Sequence, residues 1–220
     1  MFPGRGGAEW TGIVGAIYDP AVMRGRFEAR LAAELNGDAE TVAQAMAFFG
    51  SAQGQRILGL EIGARRALTD DAAEEAAKVT VEDMIAKSDP RMDVLRTFAE
   101  TNELIEMNVT GALNANLAFY QGLDEGGAFG GEMTEEQMLN DVWGQEAEVR
   151  GQTEEWLFSF LALAYAPLSE ADMAAYQAYS ETPGGRRMNR ALFAAFEAVF
   201  TPISHDLGVA AARRMQGEDI

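Results

Sequence analysis

Hydrophobic residues recur at three- and four-residue spacing along nearly the whole chain, the period of an amphipathic helix. No window alternates with period two over the length of a strand, so no sheet is expected. Ala, Glu, Leu, Met, Gln and Arg dominate, and these are the strong helix formers. Helix-start signals punctuate the pattern. Asp19-Pro20 and Asp89-Pro90 each offer an N-cap followed by Pro at the first helical position. Thr134-Glu135-Glu136-Gln137 reads as a capping box, and Ser169-Glu170-Ala171-Asp172 as a weaker one. Asp38 and Thr182 are further N-caps. Helices are predicted over about 8–17, 20–35, 39–49, 53–77, 90–121, 135–165, 170–180 and 183–216, with one more short helix over Thr80–Ala86. Pro202, inside the last, should kink it. The expected fold is all-α, a bundle of about eight helices forming a single domain over 1–220.

Two stretches share one pattern. Phe48-Phe49-Gly50-Ser51-Ala52-Gln53-Gly54-Gln55-Arg56 and Tyr179-Ser180-Glu181-Thr182-Pro183-Gly184-Gly185-Arg186-Arg187 each end a short helix on an aromatic. Each then supplies a hydroxyl residue, two spacers, a Gly and, two further on, an Arg. Aligning Gly54 with Gly185 also pairs Asp38 with Ser169, Phe48 with Tyr179, Ser51 with Thr182 and Arg56 with Arg187. The result is an internal repeat over about 38–77 and 169–208, two related helical-hairpin halves. In each corner the hydroxyl caps the long helix and the Gly admits a neighbouring backbone. The stretch 122–131, rich in Gly, reads as a flexible connection between the halves. It lacks the Lys, Arg or Ser/Thr of a phosphate cradle and carries two acids.

The corner signature is aromatic, aromatic or polar, any, Ser/Thr, Pro, any, Gly, any, Lys/Arg. It resembles the hallmark of the domain of unknown function 2059 family. Thr182, Pro183, Gly185 and Arg187 fit it fully, and Ser51, Gly54 and Arg56 fit with Ala52 in place of Pro. The segments Asn114–Tyr120 and Asp141–Glu146 are also similar to uncharacterised alphaproteobacterial proteins of this type. The resemblance implies an all-helical fold and export to the periplasm behind a signal peptide. It brings no established activity and no catalytic residue.

Composition narrows the chemistry. The 220 residues are 48% hydrophobic, ample for a core. A net charge of −18 repels nucleic acid and anionic headgroups, so neither is an expected partner. No segment is long enough to insert in a membrane as an apolar span. The start, Met1 to Gly7, lacks the apolar core of a signal peptide, so export is an expectation for the parent protein. With no cysteine, disulfides, thiolate metal sites and thiol catalysis are excluded; with one histidine, so is any site that needs two imidazoles. No metal and no cofactor is expected.

Polar residues on apolar faces mark where a site could form. Over 90–121 one face collects Leu95, Phe98, Ile105, Val109, Ala112, Leu113 and Tyr120, with Asn102 and Asn116 in its middle and Glu106 at its edge. Over 135–165 the face of Met138, Leu139, Val142, Val149, Trp156, Leu157 and Phe160 has Glu146 near its centre. Such groups need partners when buried, and an inter-helix hydrogen-bond network is the plain reading. The sharper one is a ligand pocket of Asn102, Glu106, Asn116 and Glu146, roofed by Trp143 or Tyr120. On the last helix, Met188, Leu192, Phe196, Val199, Ile203 and Leu207 form the expected apolar face. His205 projects to the other side and reads as exposed, so Ser204-His205-Asp206 is no triad.

No nucleophile–base pair can be assembled, and no catalytic residue is assigned. The reading is a non-enzymatic module binding an unknown protein or small molecule. The alternatives are a hydrolase or metal-dependent enzyme using Glu106 and Glu146, and a purely structural component of an envelope assembly.

Overall fold

The computed structural model describes residues 7–217. Their regular structure is all helical, with no strand among the described residues. In chain order the helices are α1 (Gly7–Ile17), α2 (Pro20–Glu34), α3 (Ala39–Phe49), α4 (Ala52–Ala67), α5 (Asp71–Ala86), α6 (Pro90–Thr101), α7 (Leu104–Glu125), α8 (Glu135–Gly144), α9 (Glu146–Tyr165), α10 (Glu170–Glu181) and α11 (Pro183–Met215). The all-α expectation holds. Eleven helices stand among the described residues because the helices expected over 53–77, 90–121 and 135–165 each break once, and the short helix expected over Thr80–Ala86 is the end of α5 rather than a separate element.

Each break has a local cause. Asp70 leaves the helical region and its side chain accepts from Ala73 N, which restarts the chain as α5. Glu103 takes a left-handed φ of 52° just past α6, the position where a helix stops. Asn102 closes α6 by donating from Nδ2 to Phe98 O. At Gln145 the chain turns between α8 and α9, and Asn116 Nδ2 donates to its Oε1. The predicted caps are in place: Asp19, Asp38, Asp89, Thr134 and Ser169 all accept backbone N–H groups, the last two in full capping boxes. α11 runs unbroken through Pro202, which lacks the N–H that would bond Ala198 O.

The chain divides into two compact units. Among the described residues, one comprises 35–109 and 148–191; the other comprises 7–34, 110–147 and 192–217. In the first, Ile57, Leu95, Phe98, Leu157, Leu161, Tyr165 and Met173 build one continuous core with their neighbours. In the second, Leu113, Ala118, Met138, Val142, Ala195, Val199, Ile203 and Ala212 are buried.

The expected stripe of α11 holds at Val199 and Ile203, which are buried, but Phe196 on it is 46% exposed, and Ala191 and Ala195 are buried beside it. Close helix packing explains the shift, since small residues let backbones approach. In the second unit a Cβ at Gly208 would lie 2.2 Å from Phe119 O, and one at Gly122 would lie 2.1 Å from His205 O. Gly122 thus belongs to a tight α7–α11 crossing, and the Gly-rich stretch starts as the end of α7. The rest turns through Gly127, Gly130 and Gly131, all at positive φ, and lies wholly within this unit. Gly208→Ala is expected to destabilise this unit by roughly 2–3 kcal/mol, because the clash is with backbone; a thermal melt of the variant checks it.

His205 is half-buried rather than solvated. Its Nε2 lies 3.1 Å from Glu125 Oε2, and its Nδ1 lies 3.6 Å from Asp206 Oδ1. The pairing to α7 across the Gly122–Gly208 crossing brings it in.

Candidate functional site

The first unit contains both repeated corners, and their chemistry matches atom for atom. Ser51 is extended (φ −70°, ψ 160°) and so is Thr182 (φ −68°, ψ 153°). Ser51 Oγ accepts from Gly54 N at 3.0 Å and donates to Phe48 O at 2.6 Å. Thr182 Oγ1 accepts from Gly185 N at 2.9 Å and donates to Tyr179 O at 2.7 Å. A Cβ on Gly54 would lie 2.2 Å from Phe48 O, and one on Gly185 2.1 Å from Tyr179 O. Glycine is therefore required in both first turns by close approach of the preceding backbone. Pro183 occupies the first position of α11, where its missing N–H costs nothing.

The two corners also meet. Phe48 and Tyr179 stack with centroids 4.4 Å apart and planes 5° from parallel. Each corner's arginine reaches the start of the other copy's first helix: Arg56 Nη1 is 3.2 Å from Asp172 Oδ2, and Arg187 Nε is 4.0 Å from Asp38 Oδ2. Arg56 also donates to Pro167 O. Asp172 is held below the usual carboxylate range mainly by the Ser169 hydroxyl, and Asp38 mainly by the Thr41 N–H. The role of Arg56 and Arg187 is thus to clasp one repeat to the other.

The same unit holds a half-buried carboxylate that the sequence pattern did not single out. Glu61 sits on the α4 face that runs Ile57, Ala64 and Leu68, all buried. Its Oε1 accepts from Tyr165 Oη at 2.8 Å and from Tyr176 Oη at 3.2 Å. Burial pushes the Glu61 carboxyl up, against the pull of the two phenols and of Arg65. Burial likewise pushes both phenols up. The spacing 57, 61, 64, 68 was the available signal, since it puts Glu61 in the middle of an apolar stripe.

The same unit holds a polar cleft at the α6–α7 break. One wall is the corner from Glu100 to Glu103; the other is the first turns of α11, with Arg186, Asn189 and Arg190. The cavity has a volume of about 300 Å³. Asn189 Nδ2 donates to Asn102 O at 2.7 Å and ties the walls together at its floor. Thr101 Oγ1 accepts from Gln177 Nε2. Arg186 and Arg190 are exposed, and neither forms an ion pair among the described residues. The same is true of Glu100 and Glu103.

Of the residues expected to form one pocket, Asn102 lines this cleft. Glu106 lies in the same unit but is clamped by Arg150, with Nη1–Oε1 2.6 Å and Nη2–Oε2 2.9 Å. That pairing holds its carboxyl below the usual range, the reverse of what an acid catalyst needs. Asn116, Tyr120, Trp143 and Glu146 belong to the other unit. There Asn116 bonds Gln145, Tyr120 stacks on Phe129 at 6.2 Å, Trp143 is 63% exposed, and Glu146 opens α9 half-buried. That unit has its own open hollow of about 440 Å³ beside Phe129, Met133 and Gln137, and none of these four lines it. The helix breaks at 102–103 and 145 reset the faces on which that grouping was drawn.

Among the described residues no three carboxylates or imidazoles are grouped as metal ligands, and no helix is long and apolar enough to cross a membrane. No family model, curated protein or solved structure matches the chain.

Proposed function

We propose that the protein is a non-enzymatic binding module that takes a small polar ligand in the cleft between the α6–α7 corner and α11. The observation that carries this reading is the cavity itself: about 300 Å³, polar, and walled by side-chain charges without ion pairs among the described residues. Such a volume lies at the small end of the range for small-molecule sites. The Asn189–Asn102 bond ties the two walls together, which makes the cleft preformed and lowers the cost of binding. The clamped Glu106 weighs against the hydrolase alternative. The likeness of the two corners to the domain of unknown function 2059 family supports export to the periplasm as part of the same proposal.

The test is an NMR titration of the amide-labelled protein with the small-molecule extract of its own cells. Shifts confined to the amides of 100–103 and 186–190 are expected. An extract that moves none of them sinks the reading. A second reading, a protein-contact role in an envelope assembly, is favoured by one feature of the other unit. There Phe196 and Phe200 stack in an exposed position, with Phe27 against Phe196 at 4.9 Å.

A further inference from the structure

The charges of the cleft are arranged by sign. Arg186 and Arg190 stand one helical turn apart on α11, so both guanidinium groups can converge on one carboxylate. Glu100 and Glu103 flank the opposite wall. The two walls do not bridge each other: no ion pair joins them among the described residues, although the chain carries an excess of acid and other arginines are engaged.

A ligand with one charge would be attracted by one wall and repelled by the other. A ligand with both charges satisfies both walls and leaves no cleft charge unpaired. From this geometry, and resting on the binding-module reading above, we infer that the cleft binds a small zwitterion. Its carboxylate meets Arg186 and Arg190; its ammonium meets Glu100 and Glu103. A free α-amino acid has this chemistry and fits the volume.

The experiment is saturation-transfer NMR on the full chain with three sets of probes. The first is L-alanine, L-serine, L-glutamine and L-leucine; the second is their N-acetyl derivatives, which are anions; the third is their amides, which are cations. At least one free amino acid should receive saturation, with both capped forms binding roughly tenfold more weakly, because each loses one set of charge-assisted hydrogen bonds. The R186A/R190A variant should lose the signal. The E100Q/E103Q variant should weaken the free amino acid and strengthen its N-acetyl form, a reversal that misfolding cannot produce. Equal binding of free and N-acetyl forms would overturn the zwitterion and leave the binding-module reading standing. Silence from all three sets would overturn it too, while the extract titration would judge the broader reading separately.

Discussion

Gly54→Ala and Gly185→Ala will each destabilise the protein by about 3 kcal/mol, the upper end of overpacking effects. At Gly54 the new methyl group would sit 2.2 Å from Phe48 O and 2.6 Å from Phe49 Cα. At Gly185 it would sit 2.1 Å from Tyr179 O and 3.1 Å from Ser180 Cα. All four atoms are backbone, so no side chain can swing aside. Relief requires the corner to open, which breaks the Ser51 or Thr182 cap and the Phe48–Tyr179 stack. The control lies in the same helix. Gly59 and Gly63 have nothing within 4 Å of an added Cβ. There the same substitution should stabilise by about 0.5–1 kcal/mol through helix propensity. Denaturant midpoints of the four variants check it; equal signs at all four positions would refute the packing account of the corners.

Glu61→Gln will make the protein more stable at neutral pH and remove part of its pH dependence. Gln keeps a carbonyl oxygen for the Tyr165 and Tyr176 hydroxyls but takes the charge out of the core. The sign follows from linkage. Burial raises the folded-state pKa of Glu61 above the ordinary value of 4.5. The fold therefore holds this proton more tightly than the unfolded chain does. The associated stability is fully present below pH 4.5 and is lost as pH rises through the raised pKa. The advantage of Gln over Glu should grow across that window and then level off. Glu61→Leu should behave differently. It removes the carboxylate that both hydroxyl groups donate to, at about 1–3 kcal/mol, and should destabilise at every pH. Unfolding free energies measured from pH 4 to pH 8 for the three proteins separate these cases.

Local signals carried the helices and their caps. Asp38, Asp89, Thr134 and Ser169 were legible because a cap is decided by a few adjacent residues. The corner chemistry of Ser51–Gly54 and Thr182–Gly185 was legible for the same reason. The breaks were not. Asp70 is a helix-start residue, but the Ala and Glu residues on both sides of it continue a helical pattern that hides the break, and Glu103 stops α6 without the glycine that would announce it. Faces projected through these breaks lose register. Asn102 is buried, as its place on an apolar face implies, but it ends a helix instead of lining the middle of one. On α11 the expected face keeps Val199 and Ile203 but loses Phe196, and the small Ala191 and Ala195 are buried beside them.

What no local reading could supply was tertiary. The stacking of Phe48 on Tyr179 and the reach of Arg56 to Asp172 need both copies of the repeat in one unit. The cleft likewise arises where a helix break meets the start of α11. Its arginines belong to the repeat signature's surroundings, yet Arg186 reads as one more surface charge until Glu100 and Glu103 stand opposite.

The central claim is that this cleft holds a small molecule. Native mass spectrometry of the protein purified from its own cells tests it most directly, with the R186A/R190A variant prepared in parallel. The account predicts a small-molecule adduct on the wild-type chain that is missing from the variant. A wild-type chain without any adduct, or an adduct that the variant retains, would contradict it.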